Sequence, residues 1–369
     1  MHLRLFSKFL AGLILLVLPF ACSRDNKDDE QPAAANPYLY ITNDLPATSL
    51  SQARIWFAGA GAGTKIVFGG GRETGTNLAV VDIYDVTTGV WTTASLSQPR
   101  CLLAAAAAGN IIVFAGGYIS GTQSSNVVDI YNVATNTWST SVLPGGPRHG
   151  LAATSLGNKI FFAGGLNNGA SSFSNAVDIY DVTTGVWSST SLSIARSDLA
   201  AGAAGNKVIF AGGDNSGGLS SRIDIYDVST NTWITGTLSQ ARYGLSGAGA
   251  GNKVVFAGGV STSGISDAVE IYNASNNTWS TTQLQYKRKG MAVAASANKI
   301  VFGGGNGPGT EYASMEIYDI AANTWSPMTG LSNPRTDLAA ATAGDRMIFA
   351  GGQSVSGLFA TANLLRLYR

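Results

Sequence analysis

One segment recurs along almost the whole chain, and this repetition limits the possible folds more than any other feature. Its copy at 196–233, RSDLAAGAAGNKVIFAGGDNSGGLSSRIDIYDVSTNTW, holds four short apolar or alternating runs separated by Gly-, Asn- and Ser-rich turns. Such runs predict a four-stranded antiparallel sheet. A Phe marks each copy at steps of 46 to 48 residues: Phe68, Phe114, Phe162, Phe210, Phe256, Phe302 and Phe349. A four-strand unit with a period near 50 is typical of a β-propeller blade, so we predict an all-β propeller.

The repeat also predicts how many blades there are and how the ring closes. Inner strands begin after seven arginines, second strands end in Gly doublets from Gly69-Gly70 to Gly351-Gly352, and third strands carry tyrosines from Tyr84 to Tyr368. A Trp opens only six outer strands, because the chain stops just after Tyr368. Residues 45–54 align with 91–100, with Leu45 in the Trp place. We therefore predict seven blades of four antiparallel strands over 44–369, the last closed by the N-terminal strand, which removes an open sheet edge.

The repeated elements resemble a known family. A Gly doublet after an apolar strand, the Tyr of Asp-Ile-Tyr and a Trp seven residues later resemble the bacterial form of the kelch repeat. Small side chains in the inner strands suit a crowded axis, and the Tyr and Trp rings suit the interfaces between blades. The resemblance implies a kelch β-propeller.

The N-terminus predicts export and a lipid anchor. Arg4 and Lys8 precede an apolar run at 9–20, which is short for a membrane span and typical of a signal peptide at 1–21. Cys22 follows Ala21 as in the lipobox of bacterial lipoproteins, so we expect acylation of Cys22; an ordinary cleaved signal peptide is the alternative. Residues 22–43 then form a polar tether. These features predict an outer-membrane or cell-surface lipoprotein of a Gram-negative bacterium.

Charge and motifs narrow the possible functions. Without residues 1–21 the chain has a formal charge of −1, which gives no general reason to bind nucleic acid. His149 is the only histidine after residue 21, so a two-histidine metal site like that of kelch copper oxidases is excluded, and the sequence has no HExxH, CxxC or G-x-S-x-G motif. We expect no cofactor and no metal. Acids that recur once per blade before the Ile-Tyr pair are interpreted as structural: Asp82, Asp129, Asp178, Asp224, Glu270 and Glu316.

The arginines at the start of the inner strands have two interpretations. They are Arg54, Arg100, Arg148, Arg196, Arg242, Arg288 and Arg335. In kelch adaptor proteins of animals, arginines at this place line the mouth of the propeller and contact acidic peptides. The resemblance thus implies a basic ring around a ligand. The favoured alternative is structural, with each guanidinium tying loops of adjacent blades through carbonyl groups or an acid.

The two positions after each arginine vary between repeats, which packing does not require. They include Trp56, His149, Asp198, Tyr243, Lys289 and Asp337, whereas the next position is always large and apolar and is predicted to be core. Trp56 is the one Trp outside the repeated position. An aromatic ring at a polar mouth can stack on a sugar, so we predict a ligand site here, with edge filling as the alternative for Trp56. For His149 and Cys101 alone, a packed or solvated side chain is the better interpretation.

Three functions remain open from the sequence. The first is a non-catalytic, monomeric binding module that takes a glycan or an extended peptide or protein at the mouth. The second is a carbohydrate-active enzyme resembling sialic acid mutarotase, for which Glu73, Glu311, Asp198 and Asp337 are the acids near the mouth. That family has six blades, which counts against a close match. The third is a passive scaffold of a surface complex.

Overall fold

The computed structural model describes residues 40–42, 45, 47–168, 172–296 and 298–368. Cys22, the signal peptide at 1–21 and most of the tether at 22–43 lie outside the described residues. The described part has 42 β-strands and no helix, and no segment of it is a long apolar helix able to cross a bilayer. The prediction of an all-β fold is confirmed.

The longer strands form repeated four-stranded antiparallel sheets, numbered here in chain order with strands a to d from the inside outward. Sheet 1 comprises Ala58–Ala62, Lys65–Gly69, Val80–Asp85 and Trp91–Ser95. Sheet 2 comprises Ala104–Ala108, Ile111–Ala115, Val127–Asn132 and Thr137–Val142. Sheet 3 comprises Ala152–Leu156, Lys159–Ala163, Ala176–Asp181 and Val186–Ser191. Sheet 4 comprises Ala200–Ala204, Lys207–Ala211, Arg222–Asp227 and Thr232–Thr237.

The remaining sheets follow the same order. Sheet 5 comprises Ser246–Ala250, Lys253–Ala257, Ala268–Asn273 and Thr278–Gln283. Sheet 6 comprises Ala292–Ser296, Lys299–Gly303, Ser314–Asp319 and Thr324–Thr329. Sheet 7 has strands a to c at Ala339–Ala343, Arg346–Ala350 and Thr361–Tyr368.

The outer edge of sheet 7 comes from the N-terminal part of the chain. Thr48–Ser49 pairs with Ala362 and Thr361, and Leu50 N–H donates to the Ala360 carbonyl, as Leu96 does to Ala79 in sheet 1. Tyr40–Thr42 pairs with the last three residues of Thr361–Tyr368. The sheet therefore already includes three residues that the sequence analysis assigned to the tether.

The structure corrects the predicted tyrosine position in sheet 7 and the predicted glycine pairs in sheets 1 and 6. In sheet 7 the pairing of Met347 with Leu365 matches that of Ile66 with Tyr84 in sheet 1, so Leu365 occupies the tyrosine position and Tyr368 lies three residues beyond it. In sheets 1 and 6 three glycines are consecutive. The first of them, Gly69 or Gly303, is the last residue of strand b, so the turning pairs are Gly70-Gly71 and Gly304-Gly305.

The core lies between the sheets. Each apolar cluster combines one face of a sheet with the facing side of the next, and one cluster joins sheets 7 and 1. The repeated Phe is fully buried in every copy. In sheet 1 the Tyr84 and Trp91 rings lie 5.0 Å apart in such an interface, as predicted for these residues.

The inner strands approach one another closely, which explains their small side chains. A Cβ at Gly61 would lie 2.0 Å from the Thr342 carbonyl oxygen of sheet 7, and one at Gly249 would lie 1.9 Å from that of Ala203 in sheet 4. No side chain larger than hydrogen fits at such positions without displacing backbone. The inner strands of neighbouring sheets thus hold the loops before them close together.

Short hairpins follow strand b and shape the face where the inner strands begin. They are Arg72–Glu73 with Thr76–Asn77, Tyr118–Ser120 with Gln123–Ser124, Asp214–Asn215 with Gly218–Leu219, Val260–Ser261 with Gly264–Ile265, Asn306–Gly307 with Thr310–Glu311, and Gln353–Ser354 with Gly357–Leu358. The short strand Arg242–Tyr243 pairs with Val260–Ser261. We call this face of the molecule the mouth.

Candidate ligand site at the mouth

The seven arginines lie beneath the mouth, fully buried. Each has 0% exposure, and six of them form an ion pair with an acid of strand c in the same sheet. The pairs are Arg54–Asp82 (2.6 Å), Arg100–Asp129 (2.5 Å), Arg148–Asp178 (2.7 Å), Arg196–Asp224 (2.6 Å), Arg242–Glu270 and Arg288–Glu316 (2.8 Å). In five sheets the guanidinium also donates to the carbonyl of the repeated Phe, for example from Arg196 to Phe210 at 3.2 Å. Arg242 and Arg288 donate instead to the carbonyls of Gly258 and Gly304.

This burial corrects the expectation of a basic ring open to a ligand. The charges face acids inside the sheets, so in the described structure no guanidinium of the seven reaches the surface of the mouth. The favoured structural interpretation is right about the partners, which are an acid and backbone carbonyls. The acid belongs to the same sheet as the arginine, so the ion pair itself joins one sheet and not two adjacent ones. The main chain makes the link between sheets. The Arg100 carbonyl accepts from Gly71 N–H at 2.9 Å, and the Arg54 carbonyl accepts from Gly352 N–H at 3.0 Å.

Sheet 7 departs from this pattern. Arg335 donates to the Oδ1 of Asn363 at 2.7 Å, where the other sheets have a carboxylate. Its Nε and Nη1 atoms have no hydrogen-bond partner among the described residues, and burial lowers its pKa to about 10. The group still carries a proton at neutral pH, so sheet 7 buries a charge without its counter-charge.

Two residues after each arginine, the backbone adopts the left-handed conformation. Three sheets have glycine there, namely Gly150, Gly244 and Gly290, with φ between 61° and 64°. The other four have side chains at the same φ: Trp56 (56°), Leu102 (52°), Asp198 (50°) and Asp337 (56°). A left-handed residue with a Cβ costs roughly 1–2 kcal/mol, least for Asp. Trp56 and Leu102 therefore occupy a position at which the fold accepts glycine, since three other sheets have glycine there.

These positions surround a recess at the centre of the mouth. The central recess has a volume of about 550 Å³ and is lined by Trp56, Leu102, Asp198, Tyr243, Gly244, Val260, Lys289, Gly290, Asn306, Thr336, Asp337 and Gln353. Of the predicted ligand residues, the structure brings together Trp56, Asp198, Tyr243, Lys289 and Asp337. Beneath these positions the apolar residues that follow them, such as Phe57 and Leu199, are buried, as predicted for core.

Two other predicted residues lie apart from the recess. His149 is half-buried, with its Nδ1 2.8 Å from Ser124 Oγ and its ring 5.5 Å from that of Tyr118. Desolvation lowers the pKa of this imidazole. Cys101 is fully buried, and desolvation raises the pKa of its thiol to about 11. Both side chains are packed, which agrees with the preferred interpretation of His149 and Cys101 as packed or solvated residues.

The acids of the recess differ in their surroundings. The Asp337 carboxylate accepts hydrogen bonds from the Gln353 amide at 2.8 Å and from Trp56, and Lys289 lies close enough to lower its pKa against the opposing effect of burial, which raises it overall. Asp198 is exposed at the surface of the recess, but the protein walls around it displace much of the water that would otherwise solvate its carboxylate. This desolvation, with a smaller effect from Asp214, raises the pKa of Asp198 to about 6.

The other two acids considered for catalysis do not line the recess. Glu73 accepts from the Gln52 amide, and Glu311 pairs with Asn306 in a hairpin. Among the described residues no group of three His, Cys, Asp or Glu side chains is arranged to hold a metal ion.

A second cavity adjoins the recess. This rim groove has a volume of about 510 Å³ and is lined by Ile55, Trp56, Arg72, Thr74, Gly75, Gln353 and Leu358. Arg72, Asn306 and Gln353 were not predicted from the sequence as site residues. Each directly follows a turning glycine pair and forms a bridge with the residue after a repeat arginine, as Arg72 does with Ile55. The residue at that position varies between repeats, for example from Arg72 to Val260, and this variation could have indicated a binding position.

Comparison with known proteins identifies the family. No curated protein matches the chain. A family model described as the KLHDC2/KLHL20/DRC7 Kelch-repeats domain matches residues 52–193 and 150–352, which together span well over half of the chain. The matched region contains sheets 1 to 6, strands a and b of sheet 7, all seven arginines and the residues of the central recess except Gln353. The chain therefore belongs to the kelch-repeat family.

Proposed function

We propose that this protein is a non-catalytic binding module that holds an extended peptide segment of a partner protein in the central recess. Kelch-repeat domains generally mediate binding to other proteins. The observation that carries the proposal is the left-handed Trp56, which is 37% exposed at the recess where three other sheets have glycine. Strain that the fold does not need is typical of a functional position.

The proposal includes a ring of seven blades closed by the N-terminal strands. Seven sheets support it, as do the seven apolar clusters that join each sheet to the next. Inter-sheet hydrogen bonds to the repeat arginines, including the one from Gly352 to Arg54, give further support. A closed ring would hold the lining of the recess rigidly, which lowers the entropic cost of binding.

The test is a titration of the purified protein with a panel of peptides and glycans, followed by intrinsic fluorescence and calorimetry. Trp56→Ala is compared with Ile234→Ala, which removes an exposed apolar side chain from an outer strand. We expect saturable peptide binding that Trp56→Ala weakens by about tenfold or more and Ile234→Ala leaves unchanged. Binding that survives Trp56→Ala would refute a site at the recess.

A glycan is the second candidate. The exposed ring of Trp56 lies beside Asp198, Asp337 and the amide of Gln353, an arrangement that suits stacking on a sugar with hydrogen bonds to its hydroxyl groups. Binding of glycans and not of peptides in the same panel would favour it. Release of a product or a changed anomer ratio during that experiment would indicate the carbohydrate-active enzyme instead.

We further propose that the chain is exported and anchored through an acylated Cys22, with the mouth outside the cell. The apolar run at 9–20 and the Ala21-Cys22 junction support this. Metabolic labelling with a radioactive fatty acid is expected to mark the wild type and not Cys22→Ser. Equal labelling of both would refute acylation at this residue.

A further inference from the structure

Trp56 forms a wall between the two cavities of the mouth. It lines the central recess on one side and the rim groove on the other, and Gln353 is the second residue that both cavities share. Each cavity is large enough for one or two side chains. A ligand that occupies both would have to cross the indole ring.

The wall is held in place by its neighbours. The backbone of Trp56 is fixed in the left-handed region, and its main-chain carbonyl accepts from Leu102 N–H at 2.8 Å. Its side chain hydrogen bonds to Asp337, which also accepts from Gln353. Asp337 therefore already has donors and lies near the cation of Lys289. These contacts supply hydrogen-bond donors to Asp337. The other acid of the recess, Asp198, remains available to a ligand.

The unmatched charges on the two sides of Trp56 are opposite in sign. In the central recess no described residue donates a hydrogen bond to the Asp198 carboxylate, and Asp214 adds a second negative charge nearby. In the rim groove the Arg72 guanidinium has no acid partner among the described residues. Sheets 2 to 7 have Tyr118, Leu166, Asp214, Val260, Asn306 and Gln353 at this position, so the rim cation belongs to sheet 1 alone.

We propose that the ligand is an extended peptide that crosses Trp56, with a basic side chain beside Asp198 and an acidic side chain beside Arg72. The inference rests on the proposed function and adds the charge pattern of the partner. An extended chain advances about 3.3 Å per residue and projects side chains alternately, so it can fill two cavities separated by one ring. The aliphatic part of a basic side chain also packs well on the face of an indole.

The experiment uses synthetic peptides that carry one Lys and one Glu in either order, with the number of neutral residues between them varied. Peptides with a single charge, with none, with two Lys and with two Glu serve as references. Binding is measured by calorimetry on the wild type, Asp198→Asn and Arg72→Gln. The control variants are Asp181→Asn and Lys159→Gln, which remove an acid and a base of an ion pair at the far end of sheet 3.

One charge order at one spacing is expected to bind best. Asp198→Asn should reduce the affinity for this peptide by about two- to fivefold and abolish the preference for Lys. Arg72→Gln should reduce the affinity by a similar factor and abolish the preference for Glu. Losses of this size are typical of partly exposed ion pairs. The control variants should bind as the wild type does. In Arg72→Glu a peptide with Lys in place of Glu should regain affinity, which a structural role of Arg72 does not predict.

The outcomes separate this inference from the proposed function. Binding that depends on Trp56 but is insensitive to peptide charge and to both variants would overturn the inference and leave the proposed function standing. No peptide bound by the folded wild type would overturn both. Tight binding of doubly acidic peptides would also contradict the inference, because it would require a basic recess.

Discussion

Two positions only two residues apart behave in opposite ways across the repeats. The arginine before each inner strand is the same in every sheet and fully buried, whereas the residue two places later changes from Trp to Leu, Asp and Gly and faces the mouth. The first is kept for the fold, because it joins strands a and c. The second tolerates glycine, so the side chains present there serve something other than the fold. In a repeat protein, function is best sought where the copies disagree.

The largest effect is expected when a constant position is broken. Asp178→Ala leaves Arg148 buried without its carboxylate, since both side chains have 0% exposure. The free energy of unfolding should fall by about 3–5 kcal/mol, measured by urea denaturation. The matched control Asp181→Asn, in a partly exposed pair with Lys159, should leave the free energy of unfolding nearly unchanged. A similar small loss for both variants would remove the distinction between the two positions.

Glycine at a variable position should separate binding from stability. Trp56→Gly gives sheet 1 the residue that sheets 3, 5 and 6 have, and relieves the left-handed Cβ. Stability should stay within about 1 kcal/mol of the wild type, because relief of roughly 1 kcal/mol offsets lost packing of a partly exposed ring. Peptide affinity should fall by about tenfold or more. A loss of several kcal/mol in thermal or urea unfolding would mean that Trp56 belongs to the core.

In sheet 7 a single substitution can supply the carboxylate that the other six sheets have. Asn363→Asp supplies the carboxylate that Arg335 lacks, and we expect the free energy of unfolding to rise by about 1 kcal/mol, because a hydrogen bond to a charged acceptor is stronger than one to an amide. Calorimetric melting against the wild type measures this. A lower melting temperature would show that the cost of burying the new carboxylate exceeds its attraction to Arg335.

The smallest expected effect is on pH dependence. The pKa of Asp198 is raised to about 6, so between its ordinary range and pH 6 the folded protein binds a proton that the unfolded chain has lost. Its contribution to stability therefore falls as pH rises through that window, while affinity for a basic peptide rises by a few-fold. Asp198→Asn should remove this dependence. Asp214, Asp337 and Lys289 remain as charges nearby, and a slope unchanged in the variant would assign the effect to them.

Much of the fold was readable from the repeat, because the same residues recur at the same strand positions. The register errors arose where the type of residue suggested the wrong position in the repeat. Tyr368 was the nearest tyrosine, but strand pairing places Leu365 at that position, and three consecutive glycines hid which two make the turn. A structural role of the arginines, with carbonyl groups or an acid as partners, was the favoured prediction, but each arginine was not matched to the acid of its own repeat. Six repeats contain both the arginine and an acid at fixed positions, and this regular co-occurrence indicates an ion pair.

The site was only partly predictable. Trp56, Asp198 and Asp337 follow the arginines in the chain, and their variation pointed to the mouth. Arg72, Asn306 and Gln353 reach the same place from other loops, and only the pairing of those loops brings them there. The positive φ of Trp56 is likewise a property of backbone geometry that the glycines of the neighbouring repeats indicate only in retrospect.

Amide hydrogen exchange of the protein, with and without the best-binding peptide of the panel, shows whether the ligand lies on the variable positions of the mouth. A ligand held by the variable positions should slow exchange in the loops at 55–57, 243–244, 289–290 and 336–337 and in the hairpins after Gly71 and Gly352. Exchange in the strands beneath, which the buried arginines join, should change little. Protection confined to the turns at the far end of the sheets, around Gly109 and Gly205, would contradict the account and place the ligand on the opposite face.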